Sequence, residues 1–238
     1  LVLGSLTGTL RQVGTEALGQ HTVRNIFHFV GQNLWFYAVT VVPLAQVFAL
    51  EFTSPLWVIV LSPLLLGERL TRVRATAALM GFIGILIVAR PDMAGMNAGL
   101  LAAASCAIFF ALTYIFTKRL TRTQSITAIM FYLTLLQMIF GALTAGYDGD
   151  LALPGLASLP LLALVGACGL LAHYCITKAL TLAPATVVAP VDFARLPIIA
   201  IVAMLVYGEA LDPWVFVGAL VIFAGNYLNI WTETRKAA

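Results

Sequence analysis

The chain has 238 residues, of which 61% are hydrophobic and only 10% charged, against roughly 45–50% and about 25% in an ordinary soluble domain. A soluble core of this size cannot hide so much apolar surface, and the stretch 34–66 carries a single charge, Glu51, so the bilayer is the expected solvent. The net charge of +3 invites a nucleic-acid reading, but its distribution along the chain points to membrane topology instead.

In chain order, residues 1–10 are too short to cross a hydrocarbon core and are expected to be the end of a truncated helix, with no basic leader to make them a signal peptide. Apolar windows then predict membrane spans near 24–42, 44–66, 74–90, 97–117, 125–146, 160–181, 184–207 and 213–231. Pro43, Pro160, Pro184 and Pro213 stand at or near first turns, where a missing N–H does no harm. Trp214 and Trp231 fit interface anchors at opposite ends of the last span. Cys106, Cys168 and Cys175 lie in apolar segments without a CxxC pair or ligand-like spacing to the histidines, so no disulfide, metal or cofactor is expected.

The loops carry an orientation signal, because Lys and Arg collect on the cytoplasmic side. Arg11, Arg24, Arg69, Arg72, Arg74, Lys118, Arg119, Arg122, Arg235 and Lys236 fall in alternate connections and at the end of the chain. The opposite connections hold only Arg90 among acidic residues such as Asp92, Asp148, Asp150, Glu209 and Asp212. The carboxyl terminus is therefore expected in the cytoplasm, and nucleic acid loses its support as a partner.

A constant offset of 141 residues superposes two halves without a gap: Pro43 on Pro184, Phe52 on Phe193, Gly67-Glu68 on Gly208-Glu209, Phe82 on Phe223 and Gly84 on Gly225. Five spans separate equivalent points, an odd number, so equivalent helices cross in opposite directions. The expected fold is all-α and polytopic, with two inverted five-helix repeats of which the first is incomplete and about eight full spans are present. The boundaries expected are 1–91 for the first repeat, lacking its first helix and most of its second, 97–233 for the second repeat, and 234–238 for a cytoplasmic tail.

The segments Gly31-Gln-Asn-Leu-Trp-Phe-Tyr-Ala38, Phe52-Thr-Ser-Pro55 and Leu66-Gly-Glu-Arg69 resemble the first repeat of the EamA-type drug/metabolite transporter superfamily. Ala183-Pro184, Pro190-Val-Asp-Phe-Ala-Arg-Leu-Pro197, Gly208-Glu209 and Gly225-Asn226 resemble its second. The resemblance implies a ten-helix secondary carrier of small metabolites, often an exporter, with a central cavity between the repeats.

Ionisable side chains in mid-span are costly and are functional candidates by default. Glu51 and Asp192 occupy equivalent positions under the offset; such a carboxylate can take up a proton, bind a cationic group, or serve only as a packing contact. Arg195 follows Asp192 by three residues and can meet it on one helical face, as a substrate-binding group or as a structural ion pair. Asn25, His28, Gln32 and Trp35 form one polar face of the first span; His173 is the offset partner of Gln32, and Asn226 lies in the last span. Gly67-Glu68 and Gly208-Glu209 read as helix-end motifs, the glycine as a left-handed cap and the glutamate as a contact to the next helix's N-terminus. Lys178 is expected to snorkel.

Neither HExxH, GxSxG nor a phosphate loop occurs, which disfavours a membrane-embedded enzyme; a non-transporting scaffold has no need of matched carboxylates. The expectation is a secondary transporter in the cytoplasmic membrane, moving a small amphipathic metabolite by alternating access, with export as the family direction and proton movement as a candidate driving force. Its expected partners are that small-molecule substrate, the lipid bilayer and a second copy in a homodimer.

Overall fold

The computed structural model describes residues 8–42, 44–89, 97–147, 149, 154–192, 195, 198, 201, 205 and 213–237. Apolar runs with few helix breakers become helices throughout: α1 (Leu18–Val41), α2 (Leu44–Glu51), α3 (Ser54–Leu66), α4 (Arg72–Ala89), α5 (Ala98–Leu120), α6 (Ile126–Ala145), α7 (Leu159–Leu182), α8 (Ala185–Val191) and α9 (Pro213–Ala237). Short 3-10 turns lie at Thr9–Gln12 and Leu156–Ser158, and no strand occurs among the described residues. The segments Ala98–Leu120, Ile126–Ala145 and Leu156–Leu182 are each long and apolar enough to cross a hydrocarbon core. Much of that surface points outward: Leu164 and Val165 on α7 are about 60% exposed, an arrangement that suits lipid and not water.

Two sequence-based boundaries need correction. The helix expected to begin at 24 begins at Leu18, so Arg24 sits in its second turn instead of in a loop. The single span expected over 44–66 is two helices, α2 and α3. Pro55 in the first turn of α3 has no N–H for the carbonyl of Glu51. The chain tightens there, with Thr53 N donating to Leu50 O at 3.1 Å and Thr53 Oγ1 to the same carbonyl at 2.7 Å. Gly67 closes α3 at φ 67°, a left-handed conformation that costs glycine nothing. Ser125 caps α6, its Oγ accepting from Ala128 N at 3.1 Å.

Cα proximity divides the chain into two compact units. The first, Leu1–Phe29 with Phe116–Ala183, has a core containing Leu120, Ile129, Leu133 and Leu180. Tyr132 ties α6 to the segment before α1 by donating to Gly14 O at 3.0 Å. Lys118 holds the end of α7, its Nζ donating to Leu180 O at 2.6 Å and Ala183 O at 2.7 Å, a cation at the negative end of a helix. Lys178, expected to snorkel, is exposed.

The second unit is Val30–Ile115 with Pro184–Ala238. One cluster joins Ala38, Val42, Val47, Ala102 and Ala103 with Leu34, Trp35 and Leu50 packed against it. Helices α4 and α9 pack along their lengths, brought close by glycine. A Cβ at Gly84 would stand 2.7 Å from Gly218 O and 2.5 Å from Ile222 Cγ1; one at Gly225 would stand 3.0 Å from Ala77 O and 2.9 Å from Met80 Cβ.

Glu68 does contact a helix N-terminus, but the helix is the distant α8 and not the next one, α4. Its Oε1 accepts from Ala185 N at 2.9 Å, and its Oε2 accepts from Thr186 N at 3.2 Å and Thr186 Oγ1 at 2.8 Å. Pro184 precedes this turn in an extended conformation and leaves those amides facing the carboxylate. Glu68→Ala removes a charged cap made from another part of the fold, and should cost about 1–2 kcal/mol. Thermal unfolding of the purified protein measures this; Glu68→Gln, which keeps acceptor capacity without charge, should recover part of it. Pro43, Gly208 and Glu209 lie outside the described residues.

Candidate functional site

In the second unit, α2 ends at Glu51 and α8 is capped by Asp192, so each short helix delivers a carboxylate at its last turn. Between them stands Arg195. Its Nε approaches Asp192 Oδ1 at 2.9 Å and its Nη2 donates to Asp192 Oδ2 at 2.9 Å, a two-pronged pair. The same Nη2 reaches Glu51 Oε1 at 3.3 Å. One guanidinium thus serves two carboxylates.

Aromatic groups wall the cluster. The Trp35 indole N–H donates to Glu51 Oε2 at 2.6 Å, Tyr114 OH donates to Asp192 Oδ2 at 3.4 Å, and the Arg195 guanidinium carbon lies 5.0 Å from the Phe52 ring centroid, within cation–π range. Phe48 stacks beside Phe52 at 5.9 Å and meets Trp35 edge-on at 6.2 Å. The two carboxylates are mostly enclosed, with 12% of the Glu51 and 23% of the Asp192 side chain exposed, whereas Arg195 keeps 48% of its side chain open. Such a site offers a cationic face backed by negative charge and flat aromatic surfaces.

Four of the candidates named from the sequence, Trp35, Glu51, Asp192 and Arg195, therefore meet in one cluster. The matched depth of the two acids and the three-residue spacing to Arg195 foretold three of them. Tyr114 and Phe52 were missed; Tyr114 lies 78 residues from Asp192 in sequence, and nothing in its own span marks it out. His28 and His173 meet in the first unit instead, ring centroids 4.6 Å apart and edge-on at 89°. Asn25, on the same predicted polar face, is buried and donates to His21 O at 2.8 Å. Gln32 is half-buried on α1, and the side chain of Asn226 lies outside the described residues. Among the described residues no His/Cys/Asp/Glu group could hold a metal ion.

The EamA-like transporter family model matches residues 3–90 and 97–231. A riboflavin transporter of Vibrio cholerae is 32% identical over 232 residues, covering 97% of this chain and 77% of its own. An S-adenosylmethionine uptake transporter of Rickettsia bellii is 27% identical over 215 residues, covering 90% of this chain and 73% of its own. A solved crystal structure superposes on 100% of this chain and 85% of its own with a TM-score of 0.78, at 18% identity, a likeness of fold alone. Matched twice over nearly its whole length, and all-helical where described, the chain belongs to the EamA-like transporter family, a family of transporters and not of enzymes.

Proposed function

We propose that this protein is a secondary active transporter of a small amphipathic metabolite with a flat heteroaromatic ring, working by alternating access in the cytoplasmic membrane with its carboxyl terminus inside the cell. The observation that carries the reading is the Glu51–Arg195–Asp192 cluster. Two carboxylates outnumber their guanidinium, so with all three ionised the cluster holds one negative charge in excess; a proton or a cationic group on the substrate balances it. Trp35, Phe52 and Tyr114 around it suit a planar ring. Riboflavin and S-adenosylmethionine, named for the relatives, both pair a fused heteroaromatic ring with a hydroxylated portion.

The reading includes two inverted repeats, 1–91 and 97–233, followed by a tail at 234–238. Helices α4 and α9 begin at Arg72 and Pro213, which the repeat offset superposes. Their glycine contacts exchange under the same offset, Gly84 against Gly218 answering Gly225 against Ala77. Helices α2 and α8 are likewise short, and each is followed or ended by its acid. These reciprocal features support a pseudo-two-fold arrangement of the kind that many transporters use to expose one site to each side in turn.

Full-length protein in proteoliposomes, given radiolabelled riboflavin or S-adenosylmethionine with a pH gradient of either sign, should show saturable flux above empty vesicles. The family resemblance favours export and the Rickettsia relative is named for uptake, so both directions are measured. Absence of flux of either solute in both directions, with the protein monodisperse, would count against the reading.

A further inference from the structure

The first unit contains a buried cation, Arg24, that no carboxylate meets among the described residues. Arg24, in the second turn of α1, is 1% exposed. Its Nε donates to Thr117 Oγ1 at 3.1 Å and its Nη1 to Asn25 Oδ1 at 3.0 Å, both neutral acceptors. A guanidinium has five N–H groups; these two bonds spend two, and among the described residues no carboxylate pairs with the rest. Asn25 is itself fixed, its amide bonded to His21 O and its oxygen reached by Gln137 Nε2 at 3.3 Å, so it cannot turn to offer more.

The groups gathered around Arg24 are neutral or donors. His28 lies one helical turn further along α1, on the same face, and meets His173 edge-on at 4.6 Å. His21, fully buried, stacks on Tyr132 at 4.3 Å with Gln124 beside it, and among the described residues neither of its ring nitrogens meets a partner in hydrogen-bond geometry. A guanidinium withdrawn from water without an opposing charge is costly, and a planar fork with donors to spare matches a carboxylate or phosphate. We infer that Arg24, with the His28–His173 pair beside it, forms an oxyanion-binding site in the first unit, taking the carboxylate or phosphate group of a small solute or of a lipid headgroup. The inference does not depend on what the Arg195 cluster carries.

Thermal unfolding of the purified full-length protein in neutral detergent tests it, with sodium phosphate, acetate or chloride at equal ionic strength. Phosphate or acetate should raise Tm over chloride by roughly 5 °C at concentrations well above Kd, and Arg24→Gln should abolish that rise. In chloride the Arg24→Gln protein should be at least as stable as the parent, because the substitution removes an uncompensated buried charge. His173→Ala, which leaves both protein bonds of Arg24 in place, should diminish the phosphate response and guards against a folding defect in the first variant. A parallel arm adds phosphatidylglycerol or phosphatidylcholine; Arg24-dependent stabilisation by the former without a phosphate response identifies a headgroup as the source. Equal responses of parent, Arg24→Gln and His173→Ala to every anion, or no response in any, overturn the proposal.

Discussion

In reconstituted vesicles, Asp192→Asn is expected to lower the transport rate by roughly 10- to 100-fold and Glu51→Gln by only about fivefold. The difference follows from how the two acids hold Arg195. Asp192 grips it with both oxygens, at 2.9 Å to Nε and 2.9 Å to Nη2, and a carboxamide cannot accept on both prongs. Glu51 makes one longer contact of 3.3 Å and is separately anchored by Trp35 at 2.6 Å, so Glu51→Gln leaves the stronger pair intact and a side chain of the same shape against the indole. Because Arg195 keeps about half its side chain open, solvent screening makes these effects smaller than those of a fully buried ion pair. The pH profile separates chemistry from architecture: if either acid carries the coupling proton, its neutral variant should lose the response to a pH gradient while retaining exchange of labelled for unlabelled solute. An unchanged pH dependence in both variants would remove proton coupling through this cluster, and a larger loss in Glu51→Gln than in Asp192→Asn would contradict the geometry.

The second large effect is steric. Gly84→Ala places a Cβ 2.7 Å from the backbone oxygen of Gly218 and 2.5 Å from Ile222 Cγ1, so α4 and α9 must move apart. The expected loss is about 1–3 kcal/mol, read as a fall of several degrees in Tm. Gly225→Ala should cost less, its new atom meeting Ala77 O at 3.0 Å and Met80 Cβ at 2.9 Å. Gly166 and Gly169 on α7 have nothing among the described residues within 4 Å of the added atom, and alanine at either should be neutral or stabilise by up to about 1 kcal/mol through helix propensity. A Gly84→Ala protein as stable as the parent, beside an unchanged Gly166→Ala control, would mean that close backbone approach is not what holds these helices together.

Helix positions were legible because apolar length is a one-dimensional signal. The break at Phe52-Thr53 was not: Pro55 and Pro63 both stand in the sequence, yet the chain breaks before the first, while α3 carries the second within it. Glu51, Asp192 and Arg195 stood out as charges in apolar surroundings, and the three-residue spacing suggested the Asp192–Arg195 pair, whereas the contact of Arg195 with Glu51, 144 residues away, is tertiary. Tyr114 and the long reach of Glu68 to Ala185 and Thr186 are tertiary facts that no local pattern encodes. Arg24 was misread for a simple reason. It stands at the edge of an apolar window and was counted with the solvated loop cations, whereas six further residues of helix precede it and Thr117 and Asn25 enclose it.

The two ion pairs of Arg195 differ in one respect besides length. Its bond to Asp192 spans three residues, its bond to Glu51 spans 144. The first is carried along whenever that stretch of chain moves; the second lasts only while α2 stays where it is. A state that moves α2 away from Arg195 while α1 and α2 stay together leaves Arg195 with Asp192 and Glu51 with the Trp35 indole. The long bond thus depends on the position of α2, and the indole fluorescence of Trp35, in a protein whose other three tryptophans are replaced by phenylalanine, would follow the surroundings of Glu51.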